Sequence, residues 1–182
     1  MNTEYGLKVG LALRAICQLH SDTSKLLVDF DKRQLRPNWY SVFENFATRD
    51  LTYHVKADFW MAEGVYRYYA NDSIPGNVEG LTVCFFNQVF PQYDEPLLLL
   101  AHIKYRFDQN LQIKQVCDPW DIWKLFFDFR DDRALDEILY AQNAGSGRIA
   151  FASLLAVPLY GIRNLEDVEA AMVRVRNADQ PT

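Results

Sequence analysis

The residues best suited to move a proton lie on two segments whose apolar residues alternate. His54 and Asp58 fall in one segment and His102 in the other, and a histidine or carboxylate beside a cavity can act as a general acid or base. We predict these three as candidate catalytic residues. A second interpretation stays open, because His54 and Asp58 alternate in phase with Lys56, and His102 with Lys104. These side chains would then form a solvated face of a sheet.

Aromatic residues are frequent, with 12 Phe, 10 Tyr and 4 Trp. Tyr and Trp favour sites where one end of the side chain is apolar and the other finds a hydrogen-bond partner, which fits a lined cavity. A core built from aromatic rings is the competing interpretation. The candidate ligand-binding residues, which would line such a cavity beside the histidines, are Tyr53, Trp60, Tyr66, Tyr69, Tyr105, Asp118 and Trp120.

Metal, cofactor and nucleic-acid binding lack a signature in this sequence. The histidines show no ligand spacing, so we predict no metal site and no cofactor. The segment Gly145-Ser146-Gly147-Arg148 lacks the Lys-Ser/Thr ending of a phosphate-binding loop, and we interpret it as a turn. The net charge of −5, without a cluster of Lys and Arg, argues against nucleic acid as a partner.

The cysteines and the apolar segments bear on the compartment. Cys17, Cys84 and Cys117 are odd in number and far apart, which predicts no disulfide framework and a reducing, cytoplasmic compartment. Lys8 interrupts the apolar residues near the N-terminus, so we predict no secretory signal. The longest uncharged apolar run, 149–162, is shorter than the about 20 residues that span a bilayer, so we predict no membrane association.

Hydrophobic periodicity predicts helices at both ends of the chain and strands between them. In the N-terminal part the predicted helices cover 3–20, ending at Ser21 to Ser24, and 38–47, starting after Pro37. Alternating residues predict strands over 51–61 and 65–70 and a hairpin over 98–117 with its turn at 108–110, while 81–90 fits a strand or a helix. The strongest turn signal lies at 71–80.

From Asp118 onward the period is helical again. Asp118 and Pro119 have the residue types of a helix start, and the predicted helix reaches Phe129. Further helices are predicted over 132–142, 148–160 and 165–176. The last one begins at an Asn164 cap and has the three-four-three apolar spacing typical of helix pairing.

The length of 182 residues fits one domain. We therefore predict a single α+β domain, 1–182. Its first part, 1–121, would hold the N-terminal helices and an antiparallel sheet of about four or five strands. Its second part, 122–182, would be a helical extension packed on that core.

Two predicted helices, the segment Asp50-Leu51-Thr52-Tyr53-His54, the stretch from Tyr105 to Lys114 and the segment Asp118-Pro119-Trp120-Asp121 follow one another in this order. Over roughly residues 3–121 the arrangement resembles the nuclear-transport-factor-like superfamily, also called SnoaL-like or cystatin-like. The resemblance implies a curved sheet wrapped by helices, an aromatic-lined pocket and a homodimer. It places Tyr53, His54, His102 and Asp118 near that pocket. Members include isomerases, dehydratases, cyclases and non-catalytic subunits, so the fold leaves the function open.

Two functions are compatible with these features. The first is binding of a small apolar or aromatic molecule in an aromatic-lined pocket, together with proton transfer of an isomerase, dehydratase or cyclase type. The second is a non-catalytic interaction or regulatory subunit that forms homo-oligomers through the apolar helices 119–129 and 165–176. Whether the protein is an enzyme stays open.

Overall fold

The computed structural model describes residues 3–43, 64–85, 95–106, 112–128 and 135–178, which form an α+β fold with a curved antiparallel sheet. This fold class confirms the prediction. The helices are α1 (Thr3–Gln34), α2 (Ile113–Val116), α3 (Asp121–Asp128) and α4 (Leu165–Arg176). The strands are β1 (Trp39–Ser41), β2 (Gly64–Asn71), β3 (Asn77–Cys84), β4 (Leu97–Tyr105), β5 (Ile138–Ala144) and β6 (Ile149–Pro158), in the sheet order β1-β2-β3-β4-β6-β5.

The chain divides into two compact units, Met1–Gln34 and Leu35–Thr182. The first unit holds α1, a single helix of 32 residues. The predicted break at Ser21 to Ser24 is therefore wrong. Asp22 accepts hydrogen bonds from Gln18 at 2.9 Å and Lys25 at 3.1 Å, so its carboxylate is satisfied within the helix. A few residues of modest helix propensity cost only tenths of a kcal/mol each, too little to end a long helix that contains no proline there.

The predicted second helix over 38–47 is wrong where the structure describes it. Asn38 has a positive φ of 68°, which a right-handed helix does not contain. The next residues form β1, which pairs with the end of β2. The remainder of the predicted helix, from residue 44, lies outside the described residues, as does the predicted strand 51–61.

The strand predicted over 65–70 and the turn predicted after it are confirmed. β2 pairs antiparallel with β3, and the turn between them holds Gly76 at a φ of 83°, a conformation that glycine adopts without steric cost. The backbone amide of Ser73 donates to Asn71 Oδ1 at 2.8 Å, a local bond that supports such turns. Residues 81–84 of the ambiguous segment are strand, and residues 86–90 lie outside the described residues.

The hairpin predicted over 98–117 is half right. Its first strand is β4, but Ile113–Val116 forms the short helix α2. β4 already pairs with β3 on one edge and with β6 on the other, which leaves no edge for a second hairpin strand. The predicted turn, 108–110, lies outside the described residues.

Two of the predicted C-terminal helices are wrong. β5 begins at Ile138 within 132–142, after a turn at residues 135–137, and β6 occupies most of 148–160. Together with β1 to β4 they form a sheet of six strands within the part of the chain that the structure describes. Residues 122–182 therefore supply part of the sheet instead of a purely helical extension. That the whole chain is one domain stays a prediction.

The helices α3 and α4 are confirmed, with α3 starting at Asp121. Asn164 caps α4 by accepting a hydrogen bond from the amide of Asp167 at 3.0 Å. The apolar stripe of α4 packs on β4 and β6. Val168, Met172 and Val175 are buried, and the Ser153 hydroxyl donates to the carbonyl oxygen of Val175 at 2.8 Å.

The sheet is covered on both faces within the second unit. α3 packs on the face that carries Gly80, where a Cβ would lie 2.8 Å from Ile122 Cδ1. α4 packs on the opposite face. None of the described helices combines the length and the apolar character of a membrane-spanning helix.

The close approach at Gly80 generates a test of α3 packing. An added Cβ would also lie 3.0 Å from Tyr68 Cδ1 and 3.1 Å from the carbonyl oxygen of Arg67. We expect Gly80→Ala to lower the free energy of unfolding by about 1–3 kcal/mol through overpacking. Gly161, where a Cβ would meet nothing within 4 Å, provides the control variant Gly161→Ala. Equal urea midpoints for the two variants would contradict this packing.

Candidate functional site

The structure divides the predicted site residues between the two faces of the sheet. Tyr66, Tyr105, Asp118 and Trp120 lie on the face that packs against α3 and the residues leading into it. Tyr69 is fully buried and, because successive strand residues alternate, faces away from its neighbour Tyr68 and from α3. His102 lies on a cleft at the other face. Four predicted residues lie outside the described residues: Tyr53, His54, Asp58 and Trp60.

The residues under α3 form a packed aromatic cluster. The rings of Tyr66 and Trp120 lie 6.0 Å apart in an edge-to-face arrangement, and Tyr68 lies 6.1 Å from Tyr66. The hydroxyl of Tyr68 donates to the carbonyl oxygen of Pro119 at 3.0 Å and accepts from the amide of Ile122 at 3.0 Å. Burial raises the pKa of Tyr66, and Asp118 adds to this effect. These tyrosines are therefore neutral structural groups that hold the start of α3.

A buried carboxylate, Asp121, organises the polar part of this face. Tyr105 donates to Asp121 Oδ2 at 2.6 Å, and the amide of Asp118 donates to the same oxygen at 2.9 Å. Arg148 donates to both carboxylate oxygens, at 2.7 and 3.2 Å. Cys117 Sγ lies 3.2 Å from the Tyr105 hydroxyl. The carboxylate thus has donors on every side, as a buried charge requires.

The remaining groups of this network do not support chemistry. Burial raises the pKa of the Cys117 thiol far above its usual range, so the reactive thiolate is not formed. Asp118 caps the turn into α3 by accepting from the amide of Trp120 at 2.9 Å, and it pairs with Lys124 at 2.7 Å. We interpret Tyr66, Tyr105, Asp118 and Trp120 as structural residues.

The opposite face holds an open cleft of about 250 Å³. It lies where β1, the β2–β3 turn, β3, β4 and the end of α4 come together. Six of the eight lining residues have polar or charged side chains, but the surface that the lining exposes is more apolar than polar. The lining residues are Arg36, Trp39, Asn71, Ile74, Asn77, Glu79, His102 and Arg176.

A buried ion pair forms the centre of this cleft. The side chain of Glu79 is only 3% exposed and accepts two parallel hydrogen bonds from Arg176, at 2.7 and 2.6 Å. These bonds raise the pKa of Arg176. A second guanidinium, that of Arg36, reaches within 4.0 Å of Glu79 and lies 5.3 Å from the ring centre of Trp39. The lining therefore carries two arginines against one carboxylate.

His102 lies beside this ion pair. It is directly opposite Glu79 on β3 and Ser153 on β6 in the sheet register. Burial lowers the pKa of His102; Glu79 opposes this effect, while Arg176 and Lys104 reinforce it. The imidazole is therefore neutral near pH 7. The structure shows no hydrogen bond between it and another described residue.

Asn77 provides a second polar group without a partner. Its Oδ1 atom is buried and has no hydrogen-bond donor among the described residues. A buried acceptor without a donor costs free energy, and such groups in native proteins call for an explanation. By contrast, Asn71 Oδ1 is occupied by the amide of Ser73. The cleft thus contains two groups, His102 and Asn77, whose hydrogen-bonding capacity is not used by the described chain.

Sequence reasoning found His102 but missed the other lining residues. Glu79 carries the clearest signal, because a single carboxylate inside a strand of buried residues has to be paired. Arg176, its partner, follows at a distance of 97 residues, which no local pattern reveals. No cluster of three or more His, Cys, Asp and Glu side chains that could hold a metal ion occurs among the residues the structure describes.

Comparisons of the chain with protein-family models, with curated proteins and with solved structures found no significant match. The resemblance to the nuclear-transport-factor-like superfamily therefore stays a prediction.

The network around Asp121 generates a test of its structural role. Asp121→Asn would remove the negative charge that pairs with Arg148. It would also replace a carboxylate whose two oxygens both accept hydrogen bonds with an amide that has one acceptor oxygen. We expect a loss of about 3 kcal/mol in the free energy of unfolding, typical of a broken buried pair. Asp136, 64% exposed and paired with Arg174, supplies the control Asp136→Asn, which should cost less than about 1 kcal/mol. A comparable loss in both variants would contradict the structural role of Asp121.

The environment of His102 generates a test by pH. Because its folded-state pKa lies below the unfolded value of about 6.5, the unfolded chain binds a proton more readily between the two values. The contribution of neutral His102 to the free energy of unfolding is therefore fully present above about pH 6.5. It decreases as the pH falls towards the pKa of His102 in the folded protein.

We expect the wild-type protein to lose more stability between about pH 7.5 and pH 5.5 than His102→Gln does, as measured by urea unfolding. His20→Gln, on α1, is the matched control and should follow the wild type. The same pH dependence in the wild type and His102→Gln would refute the lowered pKa of His102.

Proposed function

We propose that the protein binds a small molecule with a carboxylate group in the cleft around Glu79, Arg176 and His102. The observation that carries this proposal is the convergence of two guanidinium groups on one buried carboxylate beside a neutral imidazole. The lining contains two arginines and one carboxylate, so with His102 neutral the formal charge of the lining side chains is +1 at pH 7. A cleft with a net positive lining favours an anion.

Arginine suits a carboxylate in particular. Its planar guanidinium offers two parallel donors that match the two carboxylate oxygens. Arg176 already uses this geometry towards Glu79, and Arg36 lies next to it with its side chain 47% exposed. The ring of Trp39 beside Arg36 provides an apolar wall on which a planar ligand can stack. The two arginines thus favour an anionic group, and the mostly apolar surface of the cleft can contact the rest of the ligand. An acid with an apolar part therefore suits the cleft better than the wholly apolar molecule that the sequence predicts.

The size of the cleft sets a limit on the ligand. Its volume is about 250 Å³. Binding sites for drug-sized molecules are larger, ~300–1,000 Å³. A molecule with one ring or a short chain therefore fits the cleft.

The alternative function, a subunit that associates through its apolar helices, finds less support. The apolar residues of α3 and α4 that it would use are largely buried against the sheet of the same chain, including Ile122, Leu125, Phe126, Phe127, Val168, Ala171, Met172 and Val175. That the protein forms a homodimer and acts in the cytoplasm stays a prediction.

The proposal is tested by calorimetric titration of the purified protein with benzoate, benzyl alcohol and benzylamine, which share a ring and differ in charge. We expect saturable binding of benzoate, with a higher affinity than that of benzyl alcohol or benzylamine. Arg36→Met should weaken benzoate binding about tenfold or more, since a charge-assisted hydrogen bond contributes ~1.5–3 kcal/mol. Lys114→Met removes one positive charge from an exposed position outside the cleft and should bind benzoate like the wild type. Absence of benzoate binding, or equal weakening in both variants, would overturn the proposal.

A further inference from the structure

We propose that the ligand of this cleft carries a hydroxyl or N–H donor in addition to its carboxylate, and that His102 accepts this hydrogen bond. The ligand class is then the small aromatic acids with a ring hydroxyl, together with nitrogen heterocycles that present an N–H in the same place. This inference rests on the proposed function and narrows it from carboxylates in general to one kind of carboxylate.

The first step is the balance of donors and acceptors in the lining. Arg36 and Arg176 are donors only. Among the acceptors, Glu79 is filled by Arg176 and Asn71 by the amide of Ser73. Two acceptors then lack a donor among the described residues, His102 and Asn77 Oδ1. Asn77 Oδ1 has almost no exposed surface, so His102 is the acceptor that a ligand in the cleft can reach. A ligand with a carboxylate alone would use the positive charge of the cleft and leave His102 unpaired.

The second step is the state of His102. The charged groups that act on it are Glu79 on β3, Arg176 on α4 and Lys104 on its own strand, and Arg36 lines the same cleft. Ser153, its neighbour on β6, donates its hydroxyl proton to Val175 instead. Burial lowers the pKa of His102, and Arg176 and Lys104 add to this effect while Glu79 opposes it. The imidazole is therefore neutral near pH 7, and a neutral imidazole keeps one ring nitrogen as an acceptor. It can therefore receive the proton of a ligand hydroxyl in a hydrogen bond.

The shape of the cleft suits a planar ligand. Arg36 and Trp39 present two flat groups close together, 5.3 Å from the guanidinium carbon to the ring centre. Flat guanidinium and indole groups stack well on a third planar group. A single aromatic ring also keeps its carboxylate and its hydroxyl at a fixed separation, so both can be bound with little loss of conformational entropy.

The test is a titration with benzoate and with the 2-, 3- and 4-hydroxy and 4-methoxy derivatives of benzoate. At least one hydroxybenzoate should bind the wild-type protein about tenfold or more tightly than benzoate, because a site built to hydrogen-bond a hydroxyl discriminates strongly against ligands without it. The methoxy derivative has the oxygen but no donor and should show no such gain.

Two variants assign the preference to His102. In His102→Leu the ratio of hydroxybenzoate affinity to benzoate affinity should fall from about ten or more to about one, whatever the affinity of this variant for benzoate. His102→Gln retains an acceptor oxygen and should recover part of the gain, which a merely structural effect of the substitution would not produce.

The outcomes separate this inference from the proposed function. If benzoate binds but no hydroxybenzoate binds more tightly, or if the gain survives in His102→Leu, the inference is wrong and carboxylate binding stands. If none of the five acids binds the wild-type protein, the proposed function itself is wrong.

Discussion

The arrangement of the second unit depends on one buried carboxylate. Glu79 lies in a central strand with its side chain almost completely removed from water, and a charge in that position has to be paired. The partner, Arg176, comes from the last turn of α4. The pair therefore fixes the end of α4 over β3 and β4, and it places a guanidinium and a carboxylate at the base of the cleft.

Each face of the sheet contains a buried carboxylate paired with an arginine, but the surroundings of the two pairs differ. On the α3 face, Asp121 and Arg148 are joined by Tyr105 and the amide of Asp118, so the carboxylate is fully satisfied. On the α4 face, the pair of Glu79 and Arg176 lies beside groups whose hydrogen-bonding capacity is not used. The Asp121–Arg148 network therefore stabilises the fold. The groups around the Glu79–Arg176 pair can in addition bind a ligand.

The sequence predicts the elements whose pattern is local. β2, the first strand of the 98–117 hairpin, α3 and α4 follow from periodicity and capping residues, and His102 follows from its place on β4. The strands β5 and β6 do not, because a continuous apolar run such as residues 149–158 fits a buried strand and a buried helix equally well. Their strand state is set by pairing with β4, a tertiary contact. The same holds for the cleft, whose residues lie on β1, β2, β3, β4 and α4 and meet only in the folded chain.

An aromatic acid should bind at the Glu79–Arg176 cleft and not among the aromatic rings under α3. Mapping of amide and imidazole chemical shifts by NMR during a titration with 4-hydroxybenzoate tests this most directly. We expect saturable changes in chemical shift at His102, at Asn77 and at the end of α4, and little change at Tyr66 and Trp120. Shifts concentrated at Tyr66 and Trp120, or no saturable shift at His102, would contradict it.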